Sequence, residues 1–181
     1  KDISNLNLEQ SQEIKEQFSY LFQFGALFSF LTVIENIAVM LKEYTNLPND
    51  LIEKIAYTNL EIVGLPKNCA NLYPSEISGG MKKRVALARS LALEPKILFL
   101  DEPTSGLDPA STQMINELII YLRDVLNITI VIITHDLETI KTVLDRFVIL
   151  KKDIIFDGNI KEAMNSDNEF IKDFLTNKKA L

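Results

Sequence analysis

The eight residues "KILFLDEP", 96 to 103, constrain this chain more than any other stretch. Ile97, Leu98, Phe99 and Leu100 are apolar without alternation, and two adjacent carboxylates and a proline follow. A strand exposed on one face alternates apolar with polar residues. A continuous run predicts a strand buried on both faces, as in a parallel sheet covered by helices. "ITIVIITH", 128 to 135, repeats the pattern. Between the two runs, Ile115, Leu118, Ile119, Leu122, Val125 and Leu126 form an apolar stripe at helical spacing. Strand, helix, strand and a further helix over 137–144 predict an α/β fold with a mostly parallel sheet.

Upstream, the aromatic alternation of residues 18–24 predicts a strand. Residues 34–42 predict a short helix, and Pro48-Asn49-Asp50 opens another that ends near Gly64. Ser78 is placed to cap a helix in which Val85, Ala88, Leu91 and Ala92 recur at helical spacing, and Pro95 stops it. Residues 8–17 are expected to form a surface helix. Residues 146–151 and 154–157 read as a strand pair turning at Lys152-Asp153, and two short helices follow. No strand is expected between 26 and 93, so that segment reads as a helical insertion. This gives three parts: 1–25, 26–93 and 94–181.

At 181 residues the chain is long enough for one domain with a real core. It is 47% hydrophobic, 24% charged and carries a net charge of −6, which argues against a nucleic-acid-binding surface. No apolar run approaches the roughly 18 residues of a membrane-spanning helix. One cysteine, Cys69, excludes an internal disulfide and suits a reducing compartment. The first residue is Lys1 and no signal-peptide pattern follows it, so the chain is expected to begin inside a longer protein.

Three stretches carry chemistry. Ligands of open α/β sheets bind outside the carboxyl ends of the strands. Asp101 stands there and suits Mg²⁺, which takes one or two carboxylates and keeps several waters. Glu102 suits the water that attacks a γ-phosphate. The plainer reading of the pair is a solvated acidic strand end. Ser78, Gly79 and Gly80 sit at a predicted helix N-terminus, where backbone N–H groups and the helix dipole favour an anion. The plainer reading there is a turn. His135, the only histidine, follows the second apolar run and should emerge on the same sheet edge as the carboxylates. Gln23 ends the first strand, within reach of a metal-bound water.

With these residues assembled, the chain resembles the ATPase subunit of ABC transporters. "ISGGM" is similar to the signature, "ILFLDEP" to the Walker B strand, "SGLD" to the D-loop, "ITH" to the switch histidine and "LFQ" to the Q-loop. All five occur in the family's order. The resemblance implies a P-loop NTPase fold fragment with a helical subdomain, ATP and Mg²⁺ as cofactors, and defined roles. Asp101 and Gln23 would hold the metal. Glu102 would be the catalytic carboxylate, His135 would contact the γ-phosphate, and Gln23 would couple the site to the membrane partner. Ser78, Gly79, Gly80 and Met81 would bind ATP held by the opposite subunit, and Ser105 and Asp108 would lie along the dimer interface. Met81 stands where the family usually has glutamine, which puts one polar contact across that interface in doubt. "FQFGALFSFLTVIENIA" and "LYPSEISGGMKKRVALARSLAL" resemble the Mla group, which powers phospholipid transport between membranes. That implies a peripheral protein on the cytoplasmic face of the inner membrane. Its partners would be a permease, a second copy of itself and lipid-binding accessory subunits, with no nucleic acid. An ABC ATPase for another substrate, or a non-catalytic scaffold, are the competing readings.

The family's phosphate loop, Gly-x-x-x-x-Gly-Lys, does not occur in these 181 residues: no two glycines lie five apart and none precedes a lysine. The first strands and the phosphate loop are therefore expected to be absent from this polypeptide. Alone it should neither bind ATP tightly nor hydrolyse it, and its sheet should show open edges and uncovered apolar faces. Phe22, Phe24, Phe28 and Phe30 either receive the permease or fill the helical core. Lys82, Lys83 and Arg84 read as a solvated helix face, with support of a bound phosphate as the alternative.

Overall fold

The computed structural model describes residues 14 and 17–176. The expected helix over 8–17 lies almost wholly outside them. The chain divides into two compact units, Lys1–Ile133 and Thr134–Leu181.

The first unit is built on three parallel strands, β1 (Phe18–Leu21), β2 (Ile97–Asp101) and β3 (Thr129–Ile133), in the order β1-β2-β3. The register pairs Leu21 with Leu100, and Asp101 with Ile133, so all three strands end along one carboxyl edge. Between β1 and β2 the described residues are helical: α1 (Val33–Tyr44), α2 (Asn49–Ile62), two single 3₁₀ turns and α3 (Gly79–Leu91). α4 (Pro109–Leu126) joins β2 to β3.

The helix starts are chemically specified. Thr32 and Glu35 form a reciprocal capping box at α1. The Ser78 hydroxyl accepts from Met81 N–H at α3, and the Asp108 carboxylate accepts from Ser111 N–H at α4, with Pro109 in the first turn. Val33, Ile37 and Leu41 of α1, Ile52, Ala56 and Leu60 of α2 and Val85 and Ala88 of α3 are buried, as are Leu98 and Leu100 of β2.

Two strand expectations change. β1 ends at Leu21 rather than at residue 24, because Gly25 N–H donates to Phe22 C=O and the chain turns through Gly25 and Ala26, both at positive φ. Gln23 is thus in that turn, not on the strand. Burial on both faces also fails: β2 alternates buried with half-buried residues, while Val131 and Ile133 of β3 are exposed. Uncovered apolar sheet surface was the expected result, and Tyr20 stacked on Phe99 at 4.9 Å belongs to it.

The second unit contains α5 (Leu137–Thr142), the antiparallel pair β4 (Phe147–Leu150) and β5 (Ile154–Gly158), α6 (Ile160–Met164) and α7 (Glu169–Leu175). Its core gathers Ile140, Phe147, Ile149, Ala163, Ile171 and Leu175. Arg146 and Asp157 form a two-bond ion pair across the strands, at 2.7 and 2.6 Å.

Candidate functional site

Asp101 and Glu102 leave β2 at the carboxyl edge, both half-buried. Glu102 has φ +45°, a left-handed conformation that costs a side-chain-bearing residue roughly 1–2 kcal/mol. Such a conformation persists where the surroundings over-determine it. Here Glu102 N–H donates to Ile133 C=O at 2.9 Å. Its carbonyl accepts from Ser105 N–H at 3.2 Å and from the Lys83 ammonium at 2.9 Å. The turn that follows carries Ser105, half-buried, and Gly106, at positive φ in open space.

Lys83 is 7% exposed, which corrects its reading as part of a solvated face. Its ammonium donates to the carbonyls of both Gln23 and Glu102. Burial pushes its pKa down, and the charges of Glu102 and Asp101 oppose that shift. Arg84 is also engaged, donating to Gly64 C=O at 3.1 Å. One turn on from Ala86, Arg89 donates to Gly25 C=O at 2.7 Å and Ala26 C=O at 2.8 Å.

The α3 N-terminus is open. Ser78 and Gly79 are exposed, and Gly80 lies against the start of α4, where a Cβ would come 3.2 Å from Ser111 Oγ. Asp108 Oδ2 accepts from that same hydroxyl at 2.6 Å, which holds its carboxyl below the usual range. Two helix N-termini therefore converge, each adding positive potential. Met81 contributes its N–H to the cap, while its side chain is half-buried.

Asp101, Glu102, Gln23, Ser105, Asp108 and the 78–81 segment all belong to the first unit. His135 belongs to the second, exposed in the segment between β3 and α5. Among the described residues no group of three His, Cys, Asp or Glu could hold a metal ion. The donor set at Asp101 offers hard oxygens from one or two side chains, which fits Mg²⁺ sharing its shell with phosphate and water, not an all-protein cage.

Sequence reasoning misread Lys83 and missed Arg89 and Asn36. Asn36 is wholly buried. Its amide donates to the carbonyls of Phe28, Leu31 and Thr32, and its oxygen accepts from Phe28 N–H at 2.8 Å. It shapes the loop that displays the phenylalanines. Phe22, Phe24, Phe28 and Phe30 are all exposed, Phe24 by 88%, so they do not fill the helical core. Phe28 and Phe30 pack on each other at 5.7 Å, and Arg89 lies over the Phe28 ring.

The profile of the ABC transporter family matches residues 1–105. The chain belongs to the ABC transporter family. Over 176 residues it is 38% identical to the intermembrane phospholipid transport system ATP-binding protein MlaF of Haemophilus influenzae, covering 97% of this chain and 66% of that protein. It is 36% identical over 179 residues to the probable ribonucleotide transport ATP-binding protein mkl of Mycobacterium leprae, covering 98% of this chain and 51% of the relative. The chain thus spans between half and two thirds of these relatives' length. Among solved structures, cbiO1 from Clostridium perfringens, part of the ABC transporter complex cbiONQ, matches with a TM-score of 0.80 at 32% identity. That match covers 94% of this chain and 68% of the other. The ATP-binding cassette MJ0796, solved as a dimer after hydrolysis with ADP and Pi, matches with a TM-score of 0.74 at 28% identity, covering 86% and 68%. The parallel sheet and its helices are accordingly part of the ABC ATPase fold.

Proposed function

We propose that this ABC family chain belongs to the ATP-hydrolysing subunit of a transporter that moves phospholipid in a cell envelope. The observation that carries the reading is the carboxylate pair at the end of β2. Asp101 closes the strand, and Glu102 is held by backbone bonds in a strained turn beside an open helix N-terminus.

In this reading Asp101 and Gln23 would hold Mg²⁺, which when bound would supply neutralisation of phosphate charge. Glu102 orients the attacking water and takes its proton, a contribution of about 10²–10⁴-fold. Its fixed backbone limits the directions its carboxylate explores. His135 contacts the γ-phosphate. Ser78, Gly79, Gly80 and Met81 bind the nucleotide of a second copy, and Ser105 and Asp108 line the face between the copies. Residues 26–93 act as a helical subdomain between the core segments 1–25 and 94–181. Phe22, Phe24, Phe28 and Phe30 offer exposed aromatic anchors to a permease, and in this reading the protein works at the cytoplasmic face of the inner membrane with lipid-binding accessory subunits. Among the described residues, no helix is long and apolar enough to cross a membrane.

The 38% identity to MlaF supports phospholipid as the cargo. The 36% identity to mkl supports a second reading, ribonucleotide transport by the same motor. The test is Glu102→Gln in the full-length protein reconstituted with its permease in vesicles. ATP turnover should fall by about 10²–10⁴-fold, while MgATP binding by calorimetry persists and phospholipid movement stops. Turnover within about tenfold of the parent would reject Glu102 as the base. ATP-driven movement of ribonucleotide but not phospholipid by the parent protein would select the second reading.

A further inference from the structure

Lys83 is a nearly buried cation with its bonds to main-chain oxygens on two separate segments. Residues this long and charged are seldom enclosed unless their donors are used. One carbonyl belongs to Gln23, in the turn after β1, and the other to Glu102, in the turn after β2. Two further α3 residues on the same side of the helix grip the first turn. Ala86 packs where a Cβ on Gly25 would come within 3.2 Å, and Arg89 takes the carbonyls of Gly25 and Ala26. Residues 83, 86 and 89, spaced i, i+3 and i+6, therefore hold residues 23–26 over nearly two helical turns.

The Glu102 end is the more consequential. Its left-handed backbone is fixed on the N–H side by Ile133 and on the carbonyl side by Ser105 and Lys83. The carbonyl direction sets the peptide plane from Glu102 to Pro103, and with it the path of the turn. Removing the ammonium leaves the longer bond, from Ser105 N–H at 3.2 Å, to hold that plane.

We propose that Lys83 is a positioning residue for hydrolysis: its ammonium locks the Gln23 and Glu102 turns to the signature helix as one unit. This rests on the functional reading above. Lys83 does not touch the reacting atoms; it acts through the two turns. Methionine, an apolar side chain of similar length, loses both bonds, whereas arginine keeps charge and donors.

The experiment uses the full-length protein and the variants Lys83→Met and Lys83→Arg. Lys83→Met should accelerate amide hydrogen exchange by about tenfold in residues 22–26 and 101–106 and leave α2 unchanged. It should lower kcat by about 10- to 100-fold with KM for MgATP within about threefold, because a misplaced group of this kind is felt in the reacting geometry. Lys83→Arg should restore both readouts to within about threefold of the parent. The proposal is overturned if Lys83→Met leaves exchange in both segments unchanged, if exchange rises while kcat holds, or if the loss appears in KM alone. Should Lys83→Met fail to fold, Lys83→Gln, which is shorter and loses the charge but keeps an amide NH2, carries the same readouts. A parent without ATP turnover defeats the functional reading and the hydrolytic role together. Exchange in the two turns then shows whether the clamp exists apart from that role.

Discussion

Replacing Asn36 with alanine should destabilise the first unit through two specific orphaned groups. Asn36 makes four side-chain hydrogen bonds to residues 28–32, but their loss is not uniform. Phe28 C=O still accepts from Leu31 N–H at 3.2 Å, and Thr32 C=O still accepts from the main-chain N–H of residue 36 at 2.9 Å. Phe28 N–H and Leu31 C=O are left without their Asn36 bonds. An unsatisfied buried polar group costs about 1–3 kcal/mol. Phe28 is exposed, so water reaches its N–H more readily and the lower end applies there. The sum is about 2–4 kcal/mol. With a mid-range urea dependence of about 2 kcal/mol per molar, the midpoint should fall by about 1–2 M at unchanged slope. The chain has no tryptophan, so far-UV circular dichroism is the suitable signal. Asn36→Asp keeps the acceptor for Phe28 but sets a carboxylate among three carbonyl oxygens, and should be at least as damaging as alanine. A loss below about 0.5 kcal/mol for Asn36→Ala would refute the reasoning, because it would mean the loop is not held by this side chain.

Other consequences are more local. Glu94 has φ +51° on an exposed loop, so Glu94→Gly should raise stability by about 0.5–1 kcal/mol in urea melts, strain relief exceeding added chain entropy. Gly25→Ala should do the opposite by at least about 1–2 kcal/mol, since Gly25 has φ +73° and a Cβ would press on Ala86. Cys69 is 2% exposed and burial pushes its thiol pKa up, so iodoacetamide at mildly alkaline pH should label it only after unfolding. The Asp108 carboxyl is held low first by the Ser111 hydroxyl and then by the Ser111 N–H. Its contribution is present above the unfolded carboxylate value, near about pH 4, and is lost as pH falls through the lower folded value. The stability difference between parent and Asp108→Ala should therefore be flat at neutral pH and shrink at acid pH.

The legible parts were those written in residue types close together in sequence. The unbroken apolar run of β2, the serine and aspartate caps of α3 and α4, and the proline-led start of α2 each specify their element locally. β1 was read three residues too long because aromatic alternation continues past Leu21. A positive-φ turn at Gly25 and Ala26 overrides it, and only the glycine hinted at that. The exposed phenylalanines could not be separated from core residues by spacing alone. Lys83 was misread, and Arg89 and Asn36 missed, for one reason: each bonds backbone carbonyls, and a carbonyl leaves no mark in a sequence. One signal was available for Lys83. Val85, Ala86, Leu87 and Ala88 are apolar without a break, which points to a helix enclosed on nearly every side, where a lysine must find partners indoors; residues 85 to 88 are indeed buried.

That enclosure has a mechanical consequence. α3 is a 13-residue helix, about 20 Å long, and its hydrogen-bonded turns resist changes in length. At its first turn it presents Ser78, Gly79 and Gly80; along its middle it grips the Gln23 turn and the Glu102 carbonyl. Arg89 also lies over Phe28, in the exposed aromatic loop. A displacement of that loop is thus opposed by Arg89, and one of the Gln23 turn by Lys83 as well. Unless the helix is carried along, the Gln23 turn yields only by breaking charge-assisted bonds worth about 1.5–3 kcal/mol each, and the loop only by losing a cation–π contact worth about 0.5–1 kcal/mol. Moving the helix preserves those bonds. A partner pressing on the aromatic loop would then shift the open helix N-terminus and the strained glutamate together, which separate flexible loops could not do.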